Sequence, residues 1–97
     1  IFVMDESGSI GSTQYTQMIT FIKNVVIQLD NIGQHNIIYG AVTFATYSDV
    51  AISLSQQMNE ATFQSNLEQN VRPQSGGGTN TAAGINSAIG DFSAKLV

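Results

Sequence analysis

The residues best suited to binding chemistry lie close together near the start of the chain. Asp5, Ser7 and Ser9 place three oxygen-bearing side chains at alternate positions. Oxygen is the ligand atom that small hard cations such as Mg²⁺ prefer. Gly8 and Gly11 allow the backbone to fold tightly around a bound ion. This loop therefore predicts half of a cation site.

Two elements are needed to position such a site. Residues 1–4 are all apolar and predict a buried strand of a parallel sheet, whose carboxyl end is where open α/β sheets bind ligands. A second loop, Gly76-Gly77-Gly78-Thr79, delivers another hydroxyl just before a predicted helix.

The intervening chain predicts alternating helices and strands. A helix with one apolar stripe begins at Ser12 or Thr13 and ends at Gly33, a natural left-handed stop. Residues 37–44 predict a second strand and residues 50–54 a third. The short connection between them forces an antiparallel hairpin, because a parallel return needs a long crossover.

Two further helices complete the pattern. Asn59 is the predicted cap of a short helix that carries Phe63 and Leu67, and a last helix follows Thr79. The apolar stripe of that last helix, which includes Phe92, is expected in the core. The fold class is α/β, a three-layer doubly wound and mostly parallel sheet with an antiparallel edge strand.

The predicted sheet is incomplete. The first strand is apolar on both faces and should have a neighbour on each side, but the predicted order supplies neighbours on one side only. The abrupt start on a strand also indicates a piece of a longer polypeptide. We expect the remainder of its own domain, or another chain, to complete the sheet.

Composition excludes several classes of partner. The 97 residues fit one small domain, with a net charge of −4 and three basic residues that are scattered along the chain. Nucleic acid is therefore not an expected partner. No apolar run approaches the roughly 20 residues that span a bilayer, so membrane insertion is not expected. The chain has no cysteine, which excludes a cysteine-ligated zinc site.

The two loops together resemble the von Willebrand factor type A domain, and the chain is similar to the inserted domains of integrins. The resemblance is carried by Asp5-x-Ser7-x-Ser9 after an apolar strand, and by Gly-Gly-Thr79-Asn-Thr-Ala-x-Gly-Ile. It covers residues 1–97, but only about the first half of the family's domain. It implies a Rossmann-like fold, here a partial domain of three strands and their helices without the later strands.

The resemblance also implies a metal-ion-dependent adhesion site. Ser7 and Ser9 would bind the ion directly, Thr79 directly or through water, and Asp5 mostly through water. The expected ion is Mg²⁺, with Mn²⁺ or Ca²⁺ as substitutes. The family's fifth site residue is an Asp expected beyond this chain, because Asp91 falls inside the last helix.

The implied function is divalent-cation-dependent adhesion without catalysis. A protein ligand, such as the matrix protein collagen, would supply a carboxylate to the ion, and the setting would be extracellular. Two alternatives remain open at the level of the sequence. One is an intracellular scaffold of the same fold in a multiprotein assembly. The other is a metal-assisted hydrolase, for which only His35 and Glu6 are weak candidates as a general base.

Overall fold

The structure is a computed structural model that describes residues 1–8, 10–31, 33, 37–56, 58–70 and 78–95. The elements in chain order are β1 (Phe2–Asp5), α1 (Ser12–Asn31), β2 (Ala41–Phe44), β3 (Ser48–Ile52), a 3₁₀ turn (Leu54–Gln56), α2 (Glu60–Asn70) and α3 (Thr81–Lys95). This order confirms the predicted α/β class. In the described part of the chain, no helix has both the length and the apolar character needed to cross a membrane.

The three described strands form one mixed sheet in the order β1-β2-β3. β1 pairs with β2 in parallel, with Asp5 opposite Phe44, and β2 pairs with β3 in the predicted antiparallel hairpin. The second strand is shorter than predicted, since its ladder covers residues 41–44 and Tyr39 makes only an isolated bridge to Met58. The third strand lies two residues earlier than predicted, at both ends.

The residues predicted to end α1 and to begin α2 do so in the structure. Gly33 follows α1 with a φ of 86°, a left-handed conformation that glycine adopts without strain. The side chain of Asn59 caps α2, because its Oδ1 accepts a hydrogen bond of 2.9 Å from the backbone N–H of Thr62. Both caps confirm the sequence prediction.

The main core lies between the sheet, α1 and α2. Phe63 of α2 is fully buried and stacks on Phe2 and Tyr39, with ring centroids 5.9 Å and 5.1 Å apart. The other buried members of this cluster are Met4, Tyr15, Ile22, Val26, Ala41, Ile52 and Leu67. The burial of Phe63 and Leu67 follows the predicted stripe of α2.

The third helix packs on the opposite face of the sheet. Met4 belongs to the core beneath α1, whereas its neighbour Val3 lines a groove with Ile85 of α3. Successive strand residues point to opposite faces, so α1 and α3 cover opposite faces. The described chain therefore has the predicted three layers.

The free side of β1 leaves an apolar groove open. Its volume is about 280 Å³, and it is lined by Ile1, Val3, Ile85, Ala88, Ile89 and Phe92. The prediction that Phe92 belongs to the core is wrong for the described residues, because its side chain is 53% exposed. The physical reason is the position of β1, which is an edge strand here, so no described element covers α3 beyond it.

Candidate functional site

The carboxyl end of β1 holds the first half of the candidate site. The Oδ1 atom of Asp5 accepts a hydrogen bond of 2.8 Å from the backbone N–H of Ser7. Short polar side chains often make this bond to the backbone two residues on, and it turns the chain sharply. The N–H of Ile10 then donates to the carbonyl of Ser7 at 3.0 Å. The result is a tight turn in which Ser7 is 2% exposed.

The loop before α3 holds the second half. The N–H of Gly78 donates to the hydroxyl of Thr46 at 2.7 Å, and the N–H of Asn80 donates to the carbonyl of Ala45 at 2.7 Å. The Oδ1 atom of Asn80 accepts from the N–H of Ala83 at 3.0 Å and so caps α3. Thr79 lies exposed between these two anchored neighbours.

The two halves lie at the same edge of the sheet. Asp5 is opposite Phe44 in the parallel ladder, and Ala45, which binds the Thr79 loop, directly follows Phe44. The structure thus brings Asp5, Ser7 and Thr79 to one edge of the sheet. Ser9 lies outside the described residues, as do Gly76, Gly77 and His35.

Asp91 has a different role from the candidate ligands. Its Oδ1 accepts a hydrogen bond of 2.6 Å from the hydroxyl of Ser53, and its Oδ2 accepts one of 2.9 Å from the N–H of Leu54. These bonds fasten α3 to the residues that follow β3. Asp91 lies within α3, as expected, so this carboxylate joins two elements.

Glu6 is the least expected feature near the site. It is 3% exposed, and neither of its carboxylate oxygens has a well-formed hydrogen bond among the described residues. Burial raises the pKa of Glu6, the nearby Thr43 side chain opposes that shift, and the charge of Asp49 adds to it. The hydroxyl of Tyr15 is likewise buried without a described partner, and burial followed by the charge of Glu6 raises the pKa of Tyr15.

Only one of the three candidate donors that the structure describes at this edge is charged. No group of three His, Cys, Asp or Glu side chains clusters anywhere in the ranges that the structure describes. Asp5 supplies a carboxylate, whereas Ser7 and Thr79 supply hydroxyls. Such donors favour hard cations and leave most of an ion's charge uncompensated.

Sequence reasoning missed the turn that holds the second loop. From the sequence, Ala45 and Thr46 belong only to the short connection between the second and third strands, yet they bind both neighbours of Thr79. A threonine in a strand-ending turn is common, and no local spacing connects it with a loop 32 residues away. Only the three-dimensional fold makes the connection.

Comparisons with known proteins agree with this architecture. The family model described as von Willebrand factor type A domain matches residues 1–95. The collagen alpha-6(VI) chains of Mus musculus and Homo sapiens are 37% and 36% identical over 87 residues, which is 90% of this chain and 4% of each relative. The structure of proximal thread matrix protein 1 from the mussel byssus matches with a TM-score of 0.68 and 25% identity, over 86% of this chain and 22% of that chain.

Proposed function

Because this chain belongs to the von Willebrand factor type A family, we propose that it is a non-enzymatic adhesion module that binds an acidic protein partner through a divalent cation. The chain spans only 4% of the collagen relatives, so the activity of those proteins is not carried over as a whole. The proposal is for this segment alone. It rests on the residues at the carboxyl edge of the sheet.

One observation carries the proposal. The Asp5–Ser7 turn follows β1, and the Thr79 loop is hydrogen-bonded to the turn that follows the neighbouring strand β2, so both lie at the same edge of the sheet. Asp5, Ser7, Ser9 and Thr79 would hold Mg²⁺, or Mn²⁺ or Ca²⁺ in its place. An all-oxygen donor set suits these ions, and Mg²⁺ typically keeps several waters that a partner can replace.

The charges near the site support the binding of a cation there. Glu6 is buried next to Asp5 and Ser7, and its carboxylate oxygens lack well-formed hydrogen bonds among the described residues. A buried carboxylate is costly unless a positive charge or hydrogen bonds compensate it. A dication at the adjacent loop would lower that cost through its field. The bound ion would polarise its ligands and attract a carboxylate from the partner.

Catalysis is not proposed for this edge. Of the two candidates for a general base, Glu6 is 3% exposed, so substrate water cannot reach it without a rearrangement. His35 lies outside the described residues. The relatives named above are a collagen and a thread matrix protein. We therefore favour a role in the extracellular matrix, with a matrix protein such as collagen as the partner.

The first experiment measures the cation. Mg²⁺ and Mn²⁺ are titrated by calorimetry into the full-length protein. The variants are Asp5→Ala, the double variant Ser7→Ala/Ser9→Ala, and Thr79→Ala. Thr20→Ala is the control, because this threonine is exposed on α1 and its hydroxyl bonds only the preceding turn of its own helix. We expect saturable cation binding by the wild-type protein and by the control. The Asp5→Ala and Ser7→Ala/Ser9→Ala variants should each lose one cation-binding site.

The second experiment measures adhesion. Wild-type protein is applied to a collagen-coated surface in Mg²⁺ and again after chelation. We expect the wild-type protein to be retained on the surface in Mg²⁺, and we expect either a chelator or the Asp5→Ala substitution to abolish this retention. The Thr20→Ala variant should be retained like wild type. Cation binding that is indifferent to all three site variants would overturn the proposed site. Retention that persists in chelator would overturn the cation-dependent mechanism.

A further inference from the structure

We propose that Thr46 is a positioning residue for Thr79, acting from the turn between β2 and β3 through the backbone of the loop. The inference rests on the proposed function, since it matters only if Thr79 contributes to a cation site. Thr46 itself is not proposed as a ligand. Its contribution is to fix the position of the Thr79 hydroxyl before an ion binds.

The geometry places an anchor on each side of Thr79. Upstream, the N–H of Gly78 donates to the hydroxyl of Thr46 at 2.7 Å. Downstream, the N–H of Asn80 donates to the carbonyl of Ala45 at 2.7 Å. The side-chain amide of Asn80 also approaches the carbonyl of Thr46 at 3.5 Å, which is at the limit of a hydrogen bond.

The upstream anchor depends on a single side chain. Asn80 is held in several ways, because it also caps α3 through Ala83. Gly78 is exposed, and among the described residues its backbone N–H donates a hydrogen bond to the hydroxyl of Thr46. Glycine has more conformational freedom to lose than any other residue, so a glycine beside a ligand needs an external restraint. The hydroxyl of Thr46 supplies that restraint.

The framework around this anchor does not depend on Thr46. The hydroxyls of Ser48 and Ser87 are 2.5 Å apart and join β3 to α3, and Asp91 joins α3 to Ser53 and Leu54. α3 is therefore fixed on the hairpin at two further points. Removal of the Thr46 hydroxyl should release the loop without unfolding the domain, which separates positioning from general stability.

The experiment compares Thr46→Val, which keeps the shape and removes the hydroxyl, with Thr46→Ser, which restores it. Thr20→Val is the matched control at an exposed threonine of α1. Three quantities are measured in the full-length protein. They are amide hydrogen exchange of residues 78–80 without metal, Mg²⁺ affinity by calorimetry, and the denaturant midpoint.

We expect Thr46→Val to accelerate exchange at residue 78 and to weaken Mg²⁺ affinity, each by about three- to tenfold, the range that one net hydrogen bond gives. Thr46→Ser and Thr20→Val should behave like wild type in both measurements, and all denaturant midpoints should be similar. Rescue by serine is the result that a merely structural role for the residue would not produce.

The outcomes separate this inference from the proposed function. If wild type binds Mg²⁺ and Thr46→Val binds it equally well, the inference is overturned and the proposed function stands. If Mg²⁺ affinity and amide exchange in Thr46→Ser are as impaired as in Thr46→Val, the hydroxyl is not the positioning group and the inference is again overturned. If wild type binds no Mg²⁺ or Mn²⁺, the proposed function fails and the inference fails with it, whatever the exchange rates.

Discussion

Gly84 of α3 lies so close to the ring of Phe44 in β2 that a Cβ atom at residue 84 would stand 2.5 Å from the Cδ1 of Phe44. The ring belongs to a buried side chain and its near atoms cannot easily move away. We expect Gly84→Ala to lower the free energy of unfolding by about 1–3 kcal/mol, the usual cost of overpacking. Chemical denaturation measures this change.

Gly90 provides the matched control for that experiment, because it lies in the same helix and a Cβ there would meet nothing within 4 Å. Gly90→Ala should raise stability by about 0.5–1 kcal/mol, since alanine favours helix over glycine. A stabilising effect at both positions would contradict the close packing of α3 on Phe44.

Asp91→Ala should destabilise the domain by about 1–3 kcal/mol. The substitution removes both hydrogen bonds from Ser53 and Leu54, and hydrogen bonds to charged groups exceed neutral ones in strength. Asn86→Ala, at an exposed position of the same helix, is the control and should change stability by no more than about 0.5 kcal/mol. Equal effects of the two substitutions in urea denaturation would show that the Asp91 contacts do not fasten α3.

Glu6→Gln should raise stability at neutral pH in the presence of a chelator. The pKa of Glu6 is raised above its ordinary value of 4.5, so the folded state holds its proton more tightly than the unfolded state. Stability therefore falls as pH rises from about 4.5 through the raised pKa, and this contribution is absent in Glu6→Gln. Urea denaturation between pH 4 and pH 8 measures the difference between the two proteins. A difference that does not vary with pH would refute the prediction.

Tyr15→Phe should leave stability unchanged or raise it by up to about 1 kcal/mol. The hydroxyl of Tyr15 is buried and has no described partner, so its removal relieves a desolvation cost and breaks no hydrogen bond. Tyr47→Phe is the control, because that ring is 82% exposed. A loss above 1 kcal/mol at Tyr15 alone, measured in urea, would reveal a hydrogen bond to a group outside the described residues.

The 97-residue chain should associate through the side of β1 that pairs with no strand among the described residues. An unpaired strand edge beside an apolar groove invites pairing with another chain, and lysine on such an edge opposes it. We expect Val3→Lys to reduce association in sedimentation velocity. Val50→Lys is the control, because Val50 is equally exposed, at 39%, on the opposite edge strand and lies outside the groove. A monomeric wild-type segment, or equal effects of both variants, would contradict this prediction.

The sequence by itself determined the local features of this protein. Helix caps such as Asn59 and Gly33, the antiparallel hairpin, and the oxygen-rich turn after β1 all follow from neighbouring residues. Turn chemistry and hydrophobic periodicity act over a few positions, so a single sequence contains the whole signal. The same local signals put Asp5 and Ser7 directly after a strand and Thr79 in a loop before a helix.

The tertiary structure alone decided how these parts are held together. Thr46 and Gly78 are 32 residues apart, and Ser53 and Asp91 are 38 apart, so no local pattern encodes either contact. Periodicity likewise identified the apolar stripe of α3 but could not say what covers it, because coverage depends on which strand stands at the edge. Burial and long-range hydrogen bonding are properties of the packed chain, whereas propensity and spacing are properties of the sequence.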